Sequence, residues 1–249
     1  SLVPEVRFSR KSYFYPDMPK NYQITQYEVP LAENGYMTVN GKNIGIRRVH
    51  LEEDPAKLVH VGGDITSANY NLIDYNRSGV PLTEIVTEPD IGDTKEARLF
   101  LEKLGLMLDH LGVYDPHAEG SLRVDANVSV DGGSRVEVKN ITGFRNVEKA
   151  LNFEVVRQRS TARMGIDVSR ETRHFDAETG STSSLGRKEH EEDYGYIIES
   201  DLVKINLQPN WIQEILATMP ELPDQRIKRL VDQYGISGFQ AGIIVDAGL

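Results

Sequence analysis

Leu122-Arg123-Val124-Asp125-Ala126-Asn127-Val128-Ser129-Val130, then Asp131-Gly132-Gly133, then Ser134-Arg135-Val136-Glu137-Val138-Lys139 is the stretch that decides the fold. Leu122, Val124, Ala126, Val128 and Val130 alternate with Arg123, Asp125, Asn127 and Ser129, the period of a strand with one buried face. The alternation resumes after the glycines, with Val136 and Val138 apolar and Arg135, Glu137 and Lys139 polar. Two hairpin strands share a core face only in a register that keeps their apolar residues together. A loop at residues 131–133 achieves this, setting Val128 across from Val136, Asn127 across from Glu137 and Asp125 across from Lys139. The other face of the hairpin then becomes a flat array of Asp, Asn, Glu and Lys.

Working outward, residues 143–163 read as a helix. Val147, Ala150, Leu151, Glu154 and Val155 fall on one side, and Arg145, Lys149, Arg159 and Arg163 gather on the opposite side at 100° per residue. Upstream, Asp93 or Thr94 caps a helix that runs to about Leu111, with one apolar stripe of Ala97, Leu101, Leu104, Leu108 and Leu111. Residues 36–39 and 42–51 flank Asn40-Gly41, the signature of a type I′ hairpin whose two central residues need positive φ. Residues 70–75 and 80–87 read as further strands. The first 35 residues are rich in Tyr, Phe and Pro, which suits extended segments better than a helix. Residues 165–200 are polar, with alternation at 169–176 and a charged run at 187–193. From Pro209 the pattern turns helical, at 211–218 and 224–234, and Pro220-Glu221-Leu222-Pro223 marks a boundary between a β-rich body and a helical module. The expected class is α+β, a mostly antiparallel sheet with packed helices followed by the start of a helical domain.

The 249 residues include no cysteine, which excludes disulfides, thiolate catalysis and zinc–thiolate sites within this chain. Lys plus Arg number 28 against 38 Asp plus Glu, a formal charge of −10 that argues against non-specific coating of nucleic acid but leaves room for a local basic patch. No apolar stretch approaches the roughly 18 residues of a membrane span. The opening Ser-Leu-Val-Pro and the apolar pattern at residues 241–249 are expected to be cut ends of a longer cytosolic protein.

Four acidic groups stand out: Glu52, Glu53 and Asp54 beside His50; Glu84 with Glu88 and Asp90; Asp125 with Asn127; and Glu137. Oxygen-rich sites without thiolates suit Mg²⁺ or Mn²⁺, and Lys57, Arg123 and Lys139 lie close enough in sequence to neutralise phosphate. The opposing reading is a set of solvated acids, with Asp125 and Lys139 as an ordinary cross-strand pair. Glu52 and Glu53 are adjacent, so both can ligate one ion only if the strand ends or bends there, as Asp54-Pro55 allows. His50, His60 and His117 show no catalytic spacing and read as structural. There is no Walker A motif, and Gly62-Gly63 alone is a weak phosphate signal. The basic face of the 143–163 helix suits either a phosphate backbone or plain solvation. Tyr13, Phe14 and Tyr15 suit either base stacking or burial.

The literal strings go further. Arg10-Lys11-Ser12-Tyr13-Phe14-Tyr15-Pro16-Asp17, Tyr22-Gln23-Ile24-Thr25-Gln26-Tyr27, His50-Leu51-Glu52-Glu53-Asp54 and Pro81-Leu82-Thr83-Glu84-Ile85-Val86-Thr87-Glu88-Pro89-Asp90 occur in that order. Glu119-Gly120-Ser121-Leu122-Arg123-Val124-Asp125-Ala126-Asn127, Glu137-Val138-Lys139-Asn140, Glu171-Thr172-Arg173-His174-Phe175-Asp176 and Pro220-Glu221-Leu222-Pro223-Asp224 follow. Together they closely resemble the GatB/GatE family of tRNA-dependent amidotransferase subunits, over essentially the whole chain.

That resemblance implies a glutamine synthetase-like cradle domain at residues 1–219 and the beginning of a helical tRNA-binding domain at residues 220–249. It implies a cytoplasmic ligase with glutamine as amido donor. Mg²⁺ and ATP serve to phosphorylate the side-chain carboxylate of Glu or Asp on mischarged tRNA(Gln) or tRNA(Asn), and ammonia from a partner amidase then displaces the phosphate. The implied partners are that amidase (A) subunit, a small C subunit and the tRNA. Carried over by motif, the metal positions are Glu52, Glu53, Glu84, Asp125 and Glu137, of which Glu84, Asp125 and Glu137 are the catalytic ones. Arg123, Lys139, Ser121 and Asn127 are the ATP-side contacts. The family's N-terminal strand with its Glu-x-His ligands is absent from these residues, as is much of the C-terminal tRNA-binding part. The inserted domain of the GatE form would follow residues 135–139, where this chain runs straight into its 143–163 helix, so the B form is expected. Two other readings stand beside it: a non-catalytic module that docks tRNA or the amidase, and, more weakly, a free-standing ligase of a small metabolite.

Overall fold

The computed structural model describes residues 1–62, 68–118, 120–187 and 194–248. Gly63, Glu119 and residues 188–193 of the charged run therefore lie outside the described residues. In chain order the elements are β1 (Glu5–Val6), β2 (Ser9–Ser12), β3 (Tyr22–Thr25), β4 (Ala32–Val39), β5 (Lys42–Glu53), β6 (Lys57–Val61), β7 (Tyr70–Asp74), β8 (Pro81–Thr87) and α1 (Thr94–His110). They continue as β9 (Val124–Val128), β10 (Val136–Ile141), α2 (Phe144–Arg163), β11 (Glu171–Asp176), β12 (Ser181–Arg187), β13 (Gly195–Ile198), β14 (Ile205–Asn206), α3 (Pro209–Thr218), α4 (Pro223–Tyr234) and α5 (Gly238–Asp246). The chain is α+β, and among the described strand pairings only β10–β11 is parallel. It divides into two compact units, residues 1–90 with 189–213, and residues 91–188 with 214–249.

In the first unit β5 is the central strand of the sheet β4-β5-β8. The β4–β5 hairpin turns on Asn40 (φ 48°) and Gly41 (φ 80°), as the type I′ reading requires, and Val39 pairs with Lys42. Met37, Val39 and Ile44 are buried beneath it. The opening segment is extended as expected: β2 lies between β13 and β3, with Arg10 across from both Ile197 and Ile24. Arg10 holds the buried Glu199 through two hydrogen bonds, at 2.7 and 2.9 Å, and that pairing keeps the Glu199 carboxyl below its usual range.

In the second unit the sheet runs β12-β11-β10-β9, with α2 against it and α1 packed on α2. Parallel neighbours need a crossover, and α2 supplies it between β10 and β11. Asp93 caps α1 by accepting from the backbone N–H groups of Lys95 (2.9 Å) and Glu96 (2.8 Å). The buried stripe of α1 gathers Ala97, Leu101 and Leu104 as read, and adds Phe100. Leu108 and Leu111 are only half-buried. Ala126, Val136, Val138 and Ile141 of the hairpin face Val147 and Ala150 of α2 in the core. The two helices come so close that a Cβ on Gly105 would sit 2.8 Å from Cζ of Phe144.

The hairpin register holds at Val136 with Val128, Glu137 with Asn127 and Val138 with Ala126, and then shifts. Ile141 pairs with Val124, so Lys139 and Asn140 together oppose Asp125, and the expected Asp125–Lys139 pairing gives way to a bulge. Asn140 sits at φ 56° and its N–H donates to Oδ1 of Asp125 at 2.8 Å. Asn tolerates this left-handed backbone better than most residues, and the carboxylate satisfies the N–H that the ladder loses.

Glu154, read as part of the apolar side of α2, is fully buried and charged. Arg157 grips it in a fork at 2.8 to 3.0 Å, Arg173 reaches it from β11 at 2.9 Å, and Thr182 donates to it from β12. Burial alone would raise this carboxyl, but the hydrogen bonds from Arg157 and Thr182 and the charges of Arg157 and Arg173 bring it below its ordinary value.

Candidate metal and phosphate site

Alternation along β5 puts His50 and Glu52 on one face, and pairing with β8 sets Glu84 directly across from His50. The result is one group, His50, Glu52 and Glu84, whose ligand atoms all lie within 4.8 Å of one another. Nε2 of His50 is 2.7 Å from Oε2 of Glu84 and 3.9 Å from Oε2 of Glu52. His50 is buried, and its other ring nitrogen, Nδ1, has no hydrogen-bond partner among the described residues.

The two carboxylates have opposite electrostatics. Burial, and then the charge of Glu84, raise the Glu52 carboxyl, against smaller opposing effects of His50 and Lys11. Glu84 is lowered, first by the hydrogen bond from His50 and further by the charges of His50, Lys11 and Arg48. A buried carboxylate beside a second carboxylate is a place where a divalent cation lowers the energy of both. The donor set fits magnesium or manganese through the carboxylate oxygens, with His50 orienting Glu84 rather than supplying a preferred ligand.

Glu53 is not in this group. The ladder stays regular through the Glu53–Pro81 pair, so Glu53 turns to the other side. There its Oε1 lies 2.5 Å from Nζ of Lys20 and accepts from the N–H of Ile24 at 2.8 Å. Glu88 is paired with Arg47 at 2.7 and 3.0 Å, and Asp90 accepts from the N–H of Gly45 at 2.8 Å. Lys57 faces Asp74 across the β6–β7 ribbon. His60 is bound to Asn71 at 2.6 Å, and the N–H of His117 caps onto Asp115 in an exposed turn. Of the aromatic run, Phe14 is 85% exposed, while Tyr13 meets Tyr194 edge-on and Lys11 lies over the Tyr194 ring at 4.4 Å.

The remaining residues belong to the second unit. Asn127, Glu137 and Thr172 are neighbours across three strands, and Lys139 lies beside His174. Glu137 and Lys139 share that polar face, with Nζ of Lys139 4.0 Å from Oε2 of Glu137. Asp125 stands at the bulge, held by Asn140. Arg123 immediately precedes β9, and the Ser121 hydroxyl donates to the backbone oxygen of Asp115 at 2.7 Å, which fixes the loop before the strand.

No catalytic spacing surrounds His50 in the sequence, where it reads as structural. The signal was the two-residue step from His50 to Glu52, which puts both on one strand face.

Residues 1–213 match the family model described as the GatB/GatE catalytic domain. The chain belongs to the GatB/GatE family. It is 52% identical to the B subunit of the aspartyl/glutamyl-tRNA(Asn/Gln) amidotransferase of Saccharolobus solfataricus, over 98% of this chain and 53% of that protein. The corresponding protein of Methanoregula boonei is 52% identical over 95% of this chain and 49% of its own length, and that of Methanosarcina barkeri 51% identical over 96% and 49%. This GatB/GatE-family chain thus spans about half the length of the curated relatives it matches. The matched region takes in both acidic groups, in β5–β8 and in β9–β10. No helix among the described residues is long and apolar enough to cross a membrane.

Proposed function

We propose that this chain is the catalytic part of a tRNA-dependent amidotransferase B subunit, and that it activates the side-chain carboxylate of Glu or Asp carried on tRNA(Gln) or tRNA(Asn). In this reading residues 1–219 form the glutamine synthetase-like cradle and residues 220–249 begin the helical tRNA-binding domain. A carboxylate is a poor electrophile and its oxygen a poor leaving group. Its oxygen attacks the γ-phosphorus of ATP and ADP departs; ammonia then attacks the acyl carbon and phosphate leaves. The ammonia comes from glutamine on the partner amidase subunit, with a small third subunit completing a cytoplasmic complex.

The observation that carries the reading is the His50–Glu52–Glu84 group within a region that matches the family's catalytic domain. Glu52 and Glu84 would hold Mg²⁺, and His50 keeps the Glu84 carboxylate turned toward it. Asp125 and Glu137 serve as a second set of carboxylates, and Glu53 becomes a ligand only if Lys20 releases it. Mg²⁺, when bound, supplies positive charge where the phosphates carry negative charge. Arg123 and Lys139 contact phosphate, and Ser121 and Asn127 shape the ATP side.

Calorimetric titration of Mg²⁺ or Mn²⁺, with and without nucleotide, tests this on full-length protein and its Glu84→Ala variant. Carboxylate-dependent binding is expected, together with loss of ATP-driven phosphoryl transfer in Glu84→Ala while tRNA binding persists. Metal binding that is unchanged in Glu84→Ala would sink the assignment. The cationic face of α2 favours a second reading, a module that docks tRNA while chemistry occurs elsewhere; intact phosphoryl transfer in Glu84→Ala would select it.

A further inference from the structure

On α2, residues 145, 149, 152, 156, 159 and 163 fall within about 40° of one line along the helix, and the buried residues Val147, Ala150, Glu154 and Gln158 centre about 180° away. Arg145, Lys149, Arg159 and Arg163 on that line are all accessible to solvent, and no ion pair engages them among the described residues. Asn152 and Val156 complete the line, so it holds no acid. Both acids of the helix are engaged: Glu148, which flanks the line about 60° from its centre, pairs with Arg98 at 2.7 Å, and Glu154, on the far side, is locked under Arg157 and Arg173. A chain with a net charge of −10 therefore sets aside a row of four cations on one rigid face, about 27 Å long.

Plain solvation needs no such arrangement. Surface helices usually intersperse both signs along a face. Here two cation pairs, Arg145 with Lys149 and Arg159 with Arg163, stand at the two ends with a small, uncharged middle. That layout suits a polyanion with charges at intervals along a line, which is the chemistry of a phosphodiester backbone. An acidic protein surface is a weaker match, since nothing on the helix reads individual side chains.

We propose that this face of α2 is a docking surface for the sugar–phosphate backbone of the tRNA. The inference rests on the function proposed above and adds where the nucleic acid is gripped. The apolar faces of β9 and β10 receive α2, so by strand alternation Asn127, Glu137 and Lys139 point out of the opposite side of the sheet. The cations and the polar sheet face are on opposite sides of a helix-on-sheet layer. The α2 row therefore holds the body of the tRNA and not its reacting end, and it contributes uniform binding rather than transition-state stabilisation.

The test uses the full-length protein in its amidotransferase complex, with a transcript of its tRNA as the probe and filter binding between 50 and 200 mM salt. The Arg145→Glu/Arg159→Glu variant is expected to bind at least tenfold more weakly at the lower salt. The magnitude of the slope of log K against log salt should fall by about 1 per phosphate contact removed. In steady-state assays its KM for tRNA should rise with kcat preserved. Arg145→Lys/Arg159→Lys should restore binding, which a folding defect would not allow. Wild-type affinity and salt slope in the charge-reversed protein would overturn the docking surface and leave the proposed function standing. A loss confined to assembly with the amidase would overturn it in favour of a protein partner. Failure of the wild-type complex to bind tRNA at all would overturn both. Metal binding separates the two ideas: Arg145→Glu/Arg159→Glu should titrate Mn²⁺ as wild type does, and Glu84→Ala should not.

Discussion

Nε2 of His50 lies 2.7 Å from Oε2 of Glu84, its cross-strand neighbour, and the imidazole is buried while the carboxylate is half-exposed. The donor is therefore fixed by packing, and it holds a carboxylate that faces a more open space. An imidazole placed in this way sets the direction of the ligand it bonds.

Removing that donor should loosen Glu84 without removing any carboxylate. His50→Ala is expected to weaken Mn²⁺ binding about 10- to 100-fold, the range typical of lost outer-shell partners. His50→Gln, whose amide N–H still donates, should recover part of it. Calorimetry on the full-length protein reads the difference, and equal affinities in all three proteins would make His50 an ordinary packed residue.

Glu154 should matter for stability more than any exposed ion pair in the second unit. Glu154→Ala leaves Arg173, Arg157 and Thr182 facing an empty buried position, and breaking such a pair from one side costs about 3–5 kcal/mol. Exposed pairs such as Arg229–Glu221 are worth about 1 kcal/mol or less. Urea denaturation of both variants orders the two, and a Glu154→Ala cost below that of Glu221→Ala would refute the ranking.

The same carboxylate sets part of the acid sensitivity. Its folded-state pKa is below the ordinary 4.5, so its contribution is fully present above that value and is lost as pH falls through the lower, folded-state pKa. Stability measured from pH 6 downward should decline less steeply below about 4.5 in Glu154→Gln than in wild type. Identical acid limbs would assign the acid loss to other carboxylates, Glu199 beside Arg10 being the next candidate.

Gly105→Ala sets two effects against each other. Helix propensity favours alanine by about 1 kcal/mol, whereas its Cβ would sit 2.8 Å from Cζ of Phe144, and overpacking costs about 1–3 kcal/mol. A net loss is expected, and Gly105→Ala combined with Phe144→Leu should regain most of the alanine penalty in a double-mutant cycle. A stabilised single variant would show that the ring swings aside freely.

The β9–β10 bulge depends on Asn140 at φ 56°. Asn140→Gly should be tolerated, while Asn140→Val should cost about 1–3 kcal/mol because a β-branched residue resists that backbone. Thermal melts of the two variants check this, and matched melting temperatures would mean the strand can re-register to a regular ladder.

Much of this architecture was legible because local periodicity dictates it. Alternation at 124–128 and 136–138 set the hairpin register, Asn40-Gly41 set a turn, and the stripe through Ala97, Leu101 and Leu104 set α1. The bulge was not legible, because Lys139 and Asn140 are both polar and nothing in the pattern marks an extra residue. Glu154 was read as part of an apolar side because its partners, Arg173 and Thr182, arrive from strands far along the chain. The acids of the site were visible as acids. Their grouping was not, since it depends on which strand lies beside β5: β8 brings Glu84 to His50, and Glu53 goes to Lys20 instead.

The Glu154 clamp has a mechanical consequence. A helix that rests on apolar contacts alone can roll or slide by small steps, because many side-chain packings are nearly equal in energy. A charge held by two guanidinium groups and a hydroxyl from three different elements has one matching position. Rolling α2 would carry Glu154, together with Arg157 of the same helix, away from Arg173 and Thr182, so the helix is keyed in azimuth to the sheet. Whatever lies along Arg145 to Arg163 then inherits a fixed phase relative to Asp125 and Glu137, as a shaft keyed to its gear carries a pointer at a set angle.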